Sequence, residues 1–368
     1  MKIVSTRYYI LRDYKGKIHS DFTSSPNDNE NDQLHNYVAF VCLLKHPSQN
    51  RIYCGLTAMD GNVLAIFNTL SKQFEPIDYR PVAEPFEVKV HRSLCLASDG
   101  TIYGATSCLY SLDKRLEAPG GSIFCIKPGT STPIKLAVPI PHDYIQTITL
   151  DDKRRLIYGQ TYPVFKFFVY HIDSGKTENY DYMGSISHVS ALDDFGCFWS
   201  TWDSNNHFLY KYDPSNRKIT YFRHGLPNSR EEANIMYPGA GPIDCMINDG
   251  DGFLYVGTTG GSLCRIDPTT AKVEYLGKPA PTKRMPGLVG WQNRFLIGCC
   301  GDQEGSYIFA YDKKNHSFQI LGEIIDSTTG LRLFRVHDIC MAEQNTIYIA
   351  ETDAPNRSSY LWECQLGI

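Results

Sequence analysis

The sequence predicts an all-β chain folded as a single seven-bladed β-propeller domain over residues 1–368. Three observations predict it: one apolar strand pattern returns seven times, its spacing suits one blade per copy, and every copy has similar neighbours. The copies are IYCGLT at 52–57, IYGAT at 102–106, IYGQT at 157–161, CFWST at 197–201, LYVGTT at 254–259, FLIGCC at 295–300 and IYIAET at 347–352.

The spacing of the copies supports this prediction. Their second residues are Tyr53, Tyr103, Tyr158, Phe198, Tyr255, Leu296 and Tyr348, at intervals of 50, 55, 40, 57, 41 and 52 residues. A blade of four strands takes roughly 40–50 residues, and the longer intervals leave room for loops.

Each copy is predicted to be the second strand of its blade. An inner strand precedes it across a turn such as Ser98-Asp99-Gly100 or Gly250-Asp251-Gly252, where glycine supplies the positive φ of a hairpin. A third strand follows, as in LCRIDPTT, and then an outer strand such as KITYFR, which alternates in the manner of a half-exposed strand.

The seventh blade is predicted to close the ring with the amino-terminal strand. After Tyr360-Leu361-Trp362-Glu363-Cys364 this blade has only three strands, whereas residues 3–11 form a strand-like run that belongs to no other blade. Pairing the strand at residues 3–11 with the seventh blade removes two open sheet edges. The alternative, two stacked β-sandwiches, would not need seven matched units.

Charge and composition limit the classes of partner. Lys and Arg total 36 against 40 Asp and Glu, in no long block, so we expect no nucleic-acid partner. The first residues, MKIVSTRYYILRDYKGK, lack the apolar length of a signal peptide or membrane span. We therefore expect a cytoplasmic protein without a membrane partner if Met1 is the natural start. The 12 cysteines, which lie in strand-like runs without CxxC pairs, are predicted to be buried reduced thiols.

Three histidines occupy nearly equivalent places at the starts of inner strands, where a propeller opens its channel. They are His91, His188 and His337, in the second, fourth and seventh blades. Imidazole suits both proton transfer and metal ligation near neutral pH. A single metal site would require a narrow channel, and each histidine taken alone could instead bond to a neighbouring inner-strand carbonyl.

The ends of the second strands bring aromatic and polar side chains to the same surface. They add Ser107, Tyr162, Trp202, Thr259, Asp302 and Asp353. Rings beside hydroxyls and carboxylates suit sugar binding, although the same rings could simply pack between blades. Arg92, Arg335 and Arg357 lie in or near these loops, where a guanidinium can bind a substrate carboxylate through two hydrogen bonds.

Two segments, KVHRSLCLASDGTIYGAT at 89–106 and ETDAPNRSSYLWE at 351–363, resemble ulvan lyases, rhamnose–glucuronate lyases and related α-L-rhamnosidases. The resemblance implies β-elimination at a uronic acid, or cleavage of a rhamnosyl linkage, in an acidic or rhamnose-containing oligosaccharide. The resemblance points to His91. If the chain is an enzyme, superposition of the repeats predicts His91 as acid or base, with Tyr144 or His188 assisting and Lys166 or Arg92 holding the acidic sugar. Tyr162, Trp202, His337, Asp353 and Arg357 are the further predicted substrate contacts.

Two other functions stay open. The segment GGSLCRIDPTTAKVEYLGKP at 260–279 resembles the repeat of streptogramin-inactivating lyases, which implies a channel-mouth histidine and a divalent metal ion; apart from this resemblance the sequence indicates no cofactor. The other alternative is a propeller that binds a ligand or a protein without catalysis, because one fold serves many functions.

Overall fold

Seven four-stranded blades in a ring form the propeller that the sequence predicted. A computed structural model describes residues 1–11, 37–58, 61–108, 112–227, 241–302, 305–343, 345–355 and 357–367. Helical structure in these ranges is limited to 3-10 turns at Arg80–Val82 and Leu112–Glu117. Within the same ranges, no helix has the length and apolar character needed to cross a membrane.

The first three blades follow one another along the chain. Blade 1 contains Ala39–Lys45, Arg51–Thr57, Leu64–Asn68 and Gln73–Glu75, and the short strands Glu87–Lys89 and Ser107–Cys108 extend its sheet. Blade 2 contains Leu94–Leu96, Ile102–Ala105, Ile123–Ile126 and Pro133–Ala137. Blade 3 contains Tyr144–Asp151, Leu156–Tyr162, Lys166–His171 and Lys176–Tyr182.

The next three blades repeat the same order from inner to outer strand. Blade 4 contains Ala191–Leu192, Phe198–Trp202, Phe208–Asp213 and Lys218–Gly225. Blade 5 contains Ile243–Asn248, Leu254–Thr258, Leu263–Ile266 and Val273–Gly277. Blade 6 contains Gly287–Trp291, Phe295–Asp302, Gly305–Asp312 and Ser317–Glu323.

Blade 7 closes in the predicted way. Its strands run Val336–Ala342, Thr346–Glu351 and Leu361–Gly367 from the inside outwards, and Lys2–Tyr9 from the start of the chain is the fourth, outermost strand. All seven predicted second strands are therefore present, as is the predicted closing strand.

A glycine in several second strands makes room for an aromatic ring from the third strand. Gly104 pairs with Phe124 and Gly159 with Phe168. A Cβ atom on either glycine would lie 2.1 Å from Cζ of the facing phenylalanine, which no real contact permits. The IYG pattern is thus explained by packing, since only glycine lets the ring lie across the strand.

The chain divides into two compact units. Unit 1 comprises Met1–Arg7, Asp181–Ile347 and Glu363–Ile368, and unit 2 comprises Tyr8–Tyr180 and Tyr348–Trp362. In unit 1, Trp199, Ile243 and Val256 belong to one buried cluster of blades 4 and 5. In unit 2, Tyr103 and Phe168 belong to a corresponding cluster of blades 2 and 3. A single domain over residues 1–368 stays a prediction.

The cysteines contribute to these cores as small apolar residues. All twelve are free thiols, and only Cys95 is not fully buried. Burial raises the pKa of Cys95 and Cys364 to about 12, which keeps both as unreactive thiols. The prediction of reduced, buried cysteines is confirmed.

Candidate functional site

His188 of unit 1 lies three residues before the inner strand of blade 4 and is almost fully buried. Its Nδ1 atom is 3.1 Å from Oδ1 of Asp244. Its backbone N–H donates to the carbonyl of Ile243 over 3.1 Å, so both main chain and side chain are attached to blade 5. Two attachments fix the position of the ring.

Asp244 is the centre of a hydrogen-bond network in the inner strand of blade 5. The residue is completely buried. Arg284 donates Nη2–H to Oδ1 over 2.8 Å and Nε–H to Oδ2 over 3.1 Å, and the Met285 backbone N–H donates to Oδ2 over 3.1 Å. With His188, the carboxylate therefore accepts four hydrogen bonds, which offset the cost of burying its charge.

This network keeps Asp244 ionised. Burial by itself would raise the pKa of the carboxyl group. The charge of Arg284 and the hydrogen bonds from His188 and Arg284 outweigh burial and hold the pKa of Asp244 well below its usual range. The carboxylate can then only accept hydrogen bonds, so Nδ1 of His188 must carry the proton.

The resulting tautomer of His188 has a definite chemical consequence. When the ring is neutral with its proton on Nδ1, Nε2 is the basic nitrogen. A carboxylate that fixes the tautomer of a histidine and stabilises its protonated form is a recurring device of general base catalysis. His188 and Asp244 form such a pair.

His337 lies beside His188. It belongs to the inner strand of blade 7, is 5% exposed, and its ring centroid is 6.5 Å from that of His188 at an interplanar angle of 16°. Two of the three histidines singled out from the sequence are thus brought together in unit 1. Two adjacent imidazoles can divide the roles of proton acceptor and proton donor.

The residues around His188 do not suit a divalent cation. Over the described ranges, no three side chains of His, Cys, Asp or Glu converge in the manner of a metal site. Asp244 already accepts four N–H groups, including those of a guanidinium. We therefore assign no step to the metal ion suggested by the streptogramin-lyase resemblance.

His91, the third histidine, belongs to unit 2. It is 4% exposed, and its Nδ1 atom is 2.8 Å from the backbone carbonyl oxygen of Gln146. His91 therefore makes the contact with an inner-strand carbonyl that the sequence left open as the alternative to proton transfer or metal ligation. The next residue, Arg92, is also buried and has a positive φ of 43°.

Two predicted tyrosines of unit 2 face each other across blade 3. Tyr144 begins the inner strand and Tyr162 ends the second strand, and the two residues are in register. Their ring centroids are 4.9 Å apart. Burial raises the pKa of Tyr162, which keeps its hydroxyl protonated and able to donate a hydrogen bond.

Lys166 lies in a cationic cluster beside these tyrosines. Its Nζ atom is 3.0 Å from Oδ2 of the fully buried Asp143. Arg115 contacts the other oxygen, with Nε at 2.9 Å and Nη2 at 2.5 Å from Oδ1. Two cations therefore contact one buried carboxylate, and the predicted role of Lys166 stays a prediction.

Arg357 has a partner within unit 2. Its Nη1 and Nη2 atoms each lie 2.8 Å from an oxygen of Glu351, which is fully buried. The guanidinium also stacks on Tyr360, 3.8 Å from the ring centroid. This two-pronged pairing is the one expected with a substrate carboxylate, but here it is made inside the fold. Asp353 lies nearby in sequence and accepts a hydrogen bond from Thr352 over 3.1 Å.

Trp202 lines a groove in unit 1 at the end of the second strand of blade 4. The cavity measures about 430 Å³, and its lining consists of Tyr182, Met183, Trp202, Tyr221 and Arg223. Tyr182 and Tyr221 are 61% and 50% exposed, unusually high for large aromatic side chains. Trp202 therefore belongs to an accessible aromatic surface.

Sequence reasoning missed Asp244 and Arg284. Both could have been found by the same superposition of repeats, because they precede Tyr255 and Leu296 by 11 and 12 residues, and His91 and His337 precede their markers by 12 and 11. Asp244 and Arg284 thus occupy in blades 5 and 6 the places that histidines occupy elsewhere.

Comparison with solved structures places the fold beside two lyases. No protein-family model and no curated protein sequence matches the chain. A catalytically inactive histidine-to-alanine variant of virginiamycin B lyase from Staphylococcus aureus, with quinupristin, is 15% identical, with a TM-score of 0.68 over 98% of this chain and 99% of that chain. A streptogramin B lyase is 14% identical, with a TM-score of 0.66 over 98% of this chain and 97% of that chain.

A third similar structure is an extracellular domain. The extracellular domain of a hybrid two-component system from B. thetaiotaomicron is 14% identical, with a TM-score of 0.59 over 89% of this chain and 40% of that chain. At these identities the similarity establishes the propeller fold and nothing finer. The neighbours are these proteins rather than the ulvan lyase and rhamnosidase families that the sequence resembled, so that part of the resemblance is not supported.

Proposed function

We propose that this chain is a lyase that cleaves a C–O bond by proton abstraction and β-elimination, with His188 as the base. The observation that carries the proposal is the His188–Asp244 hydrogen bond of 3.1 Å, formed by a buried carboxylate that Arg284 keeps ionised. An elimination needs a proton acceptor and a proton donor, and a base with a fixed tautomer beside a second imidazole provides both.

The reaction on a uronic acid would run as follows. Nε2 of His188 removes the proton on C5, and the C–H electron pair forms the C4–C5 double bond while the C4–O bond breaks. His337, in its protonated form, gives its proton to the departing oxygen. The cycle ends when His188 releases a proton and His337 regains one from water. Asp244 stabilises the charge that His188 acquires.

Charge on the substrate carboxylate must also be neutralised. Arg284 lies beside the proposed base, but its guanidinium is already paired with Asp244, so only a cation other than Arg284 can serve. The sequence also predicts Lys166 and Arg92 as cations that hold an acidic sugar, His91 and Tyr144 as acid–base groups and Tyr162 as a contact, all within unit 2 and considered for that unit by itself. These roles stay proposals drawn from the sequence.

The preferred substrate class is an acidic or rhamnose-containing oligosaccharide, the class predicted from the sequence. A second candidate substrate is a streptogramin such as quinupristin, which is favoured by the whole-chain similarity to two lyases of that class. The same base would serve either substrate. A propeller that only binds its ligand is the remaining alternative.

The test is a turnover assay with uronic oligosaccharides and, separately, quinupristin. Elimination from a uronic acid gives an unsaturated product with a new ultraviolet absorbance, and liquid chromatography separates a cleaved streptogramin from its parent. We expect turnover of one substrate class, and His188→Ala should lower kcat by about 100-fold or more, the usual contribution of a general base.

A surface histidine provides the matched control. His171 pairs with Glu178 between strands of blade 3, where both side chains are about one-quarter exposed, and His171→Gln should leave kcat unchanged. Full activity of a folded His188→Ala variant would refute the assignment of the base. Affinity without any turnover would favour the binding propeller.

A further inference from the structure

The aromatic groove of blade 4 has properties of a sugar-binding surface. Tyr182 is 61% exposed and Tyr221 is 50% exposed. Carbohydrate rings present flat C–H faces that pack on such side chains, while an adjacent charged group selects among polar substituents. Arg223 supplies that charge here, because it lines the groove.

The groove is formed before a ligand arrives. The indole Nε1–H of Trp202 donates to the carbonyl of Phe222 over 3.2 Å. The ring of Tyr221 meets that of Trp202 edge to face, with centroids 5.0 Å apart at 68°. A ring that is already oriented loses little conformational entropy when a ligand binds.

The groove and His188 are linked by one segment of the chain in unit 1. Tyr182 and His188 are joined by a short segment that is fastened to the second strand, because Ser185 bonds to Thr201 over 2.8 Å and Ser187 to Ser200 over 2.7 Å. Tyr221 lies in the outer strand and His188 just before the inner strand, so about three strand spacings, roughly 14 Å, separate them.

We infer that this groove binds a sugar unit of an acidic oligosaccharide, several units away from the bond that His188 cleaves. One sugar ring cannot reach across the separation, whereas an extended chain can contact both places. Arg223 would pair with a uronate carboxylate while Tyr182 and Tyr221 pack on the ring. This inference rests on the proposed function for its substrate class, and it predicts a preference for longer chains.

Binding is measured by calorimetry with glucuronan oligosaccharides of two and of six units, using His188→Ala as the background so that the chain is not cleaved. We expect the longer chain to bind at least tenfold more tightly. The double variant Tyr182→Ala/Tyr221→Ala should lose about tenfold in affinity for the longer chain and nothing for the shorter one. Arg223→Gln should weaken binding and flatten its dependence on salt.

Tyr275→Ala is the matched control. Tyr275 lies on the outer strand of blade 5 and is 49% exposed, like Tyr221, so its loss should not affect binding. Equal affinity of the double variant and its parent for the six-unit chain would overturn the inference, as would no binding by the parent. If the groove binds the six-unit chain but His188→Ala keeps full turnover, the proposed base is wrong and the groove inference stands. The failure of the proposed function is thus distinguished from the failure of the groove inference.

Discussion

The His188 imidazole and the Asp244 carboxylate come from neighbouring blades, and the 3.1 Å hydrogen bond between them makes the tautomer of the proposed base depend on how those blades pack. Asp244→Asn keeps the shape of the side chain but removes its charge. We expect kcat to fall about 100-fold or more, because the amide no longer stabilises protonated His188. Steady-state kinetics check this. Asp267→Asn, in a turn at the surface, is the control, and an unchanged kcat in Asp244→Asn would count against the pair.

The ion pair of Arg284 and Asp244 should contribute strongly to stability. Arg284→Met leaves a buried carboxylate without its cation, which costs about 3–5 kcal/mol when a buried pair is broken. Urea denaturation measures the change. The exposed pair of Arg80 and Asp78 gives the comparison, since Arg80→Met should cost less than about 1 kcal/mol. Similar losses in the two variants would contradict the role assigned to burial.

Glu87 should make stability depend on pH. Burial raises the pKa of this carboxyl, although Thr106 and Tyr79 donate hydrogen bonds to it over 2.6 and 3.2 Å. A carboxyl whose pKa is raised on folding stabilises the folded state in its protonated form. The contribution of Glu87 to stability is therefore present below the unfolded pKa of about 4.3 and is lost as pH rises through the folded pKa.

The expected result is that the melting temperature of the parent falls relative to that of Glu87→Gln as pH rises from acid to neutral, because glutamine mimics the protonated carboxyl. Thermal unfolding followed by circular dichroism at a series of pH values measures both proteins. Parallel curves would show that Glu87 does not titrate differently on folding.

Gly104 should tolerate no side chain. A Cβ atom there meets Phe124 at 2.1 Å, so Gly104→Ala should cost about 1–3 kcal/mol through overpacking. Chemical denaturation gives the value. In the double variant Gly104→Ala/Phe124→Leu the smaller side chain should relieve part of the clash, so the loss should be less than the sum of the two single losses. If the two single losses of stability simply add in the double variant, the clash between the new Cβ atom and Phe124 is not the cause of the destabilisation.

Arg357 should act on stability rather than on ligand affinity. Arg357→Ala leaves the buried Glu351 carboxylate without its two-pronged partner, and we expect a loss of about 3 kcal/mol. Adding Glu351→Gln removes the uncompensated charge and should restore part of the loss. Denaturation measures stability and calorimetry measures ligand binding. A large loss of affinity without a loss of stability would support the predicted substrate contact.

Much of the fold could be predicted because a blade is specified locally. The second strands, the Asp-Gly turns and the closing strand each leave a short pattern, and repetition makes the pattern visible. The site was harder to predict. His188 and His337 were found by superposition, whereas the bond from His188 to Asp244 depends on side-chain rotamers across two blades. Arg357 shows the converse, because no sequence pattern says whether a guanidinium pairs with Glu351 or with a ligand.

The closing blade also constrains the order in which the molecule assembles. The strands Lys2–Tyr9 and Leu361–Gly367 are direct neighbours in one sheet, although nearly the whole chain separates them in sequence. During synthesis the first of these strands leaves the ribosome early and must wait, with an exposed edge, until the last has been made. Ring closure therefore cannot precede synthesis of the strand Leu361–Gly367, and until then the edge of the first strand is open to mispairing.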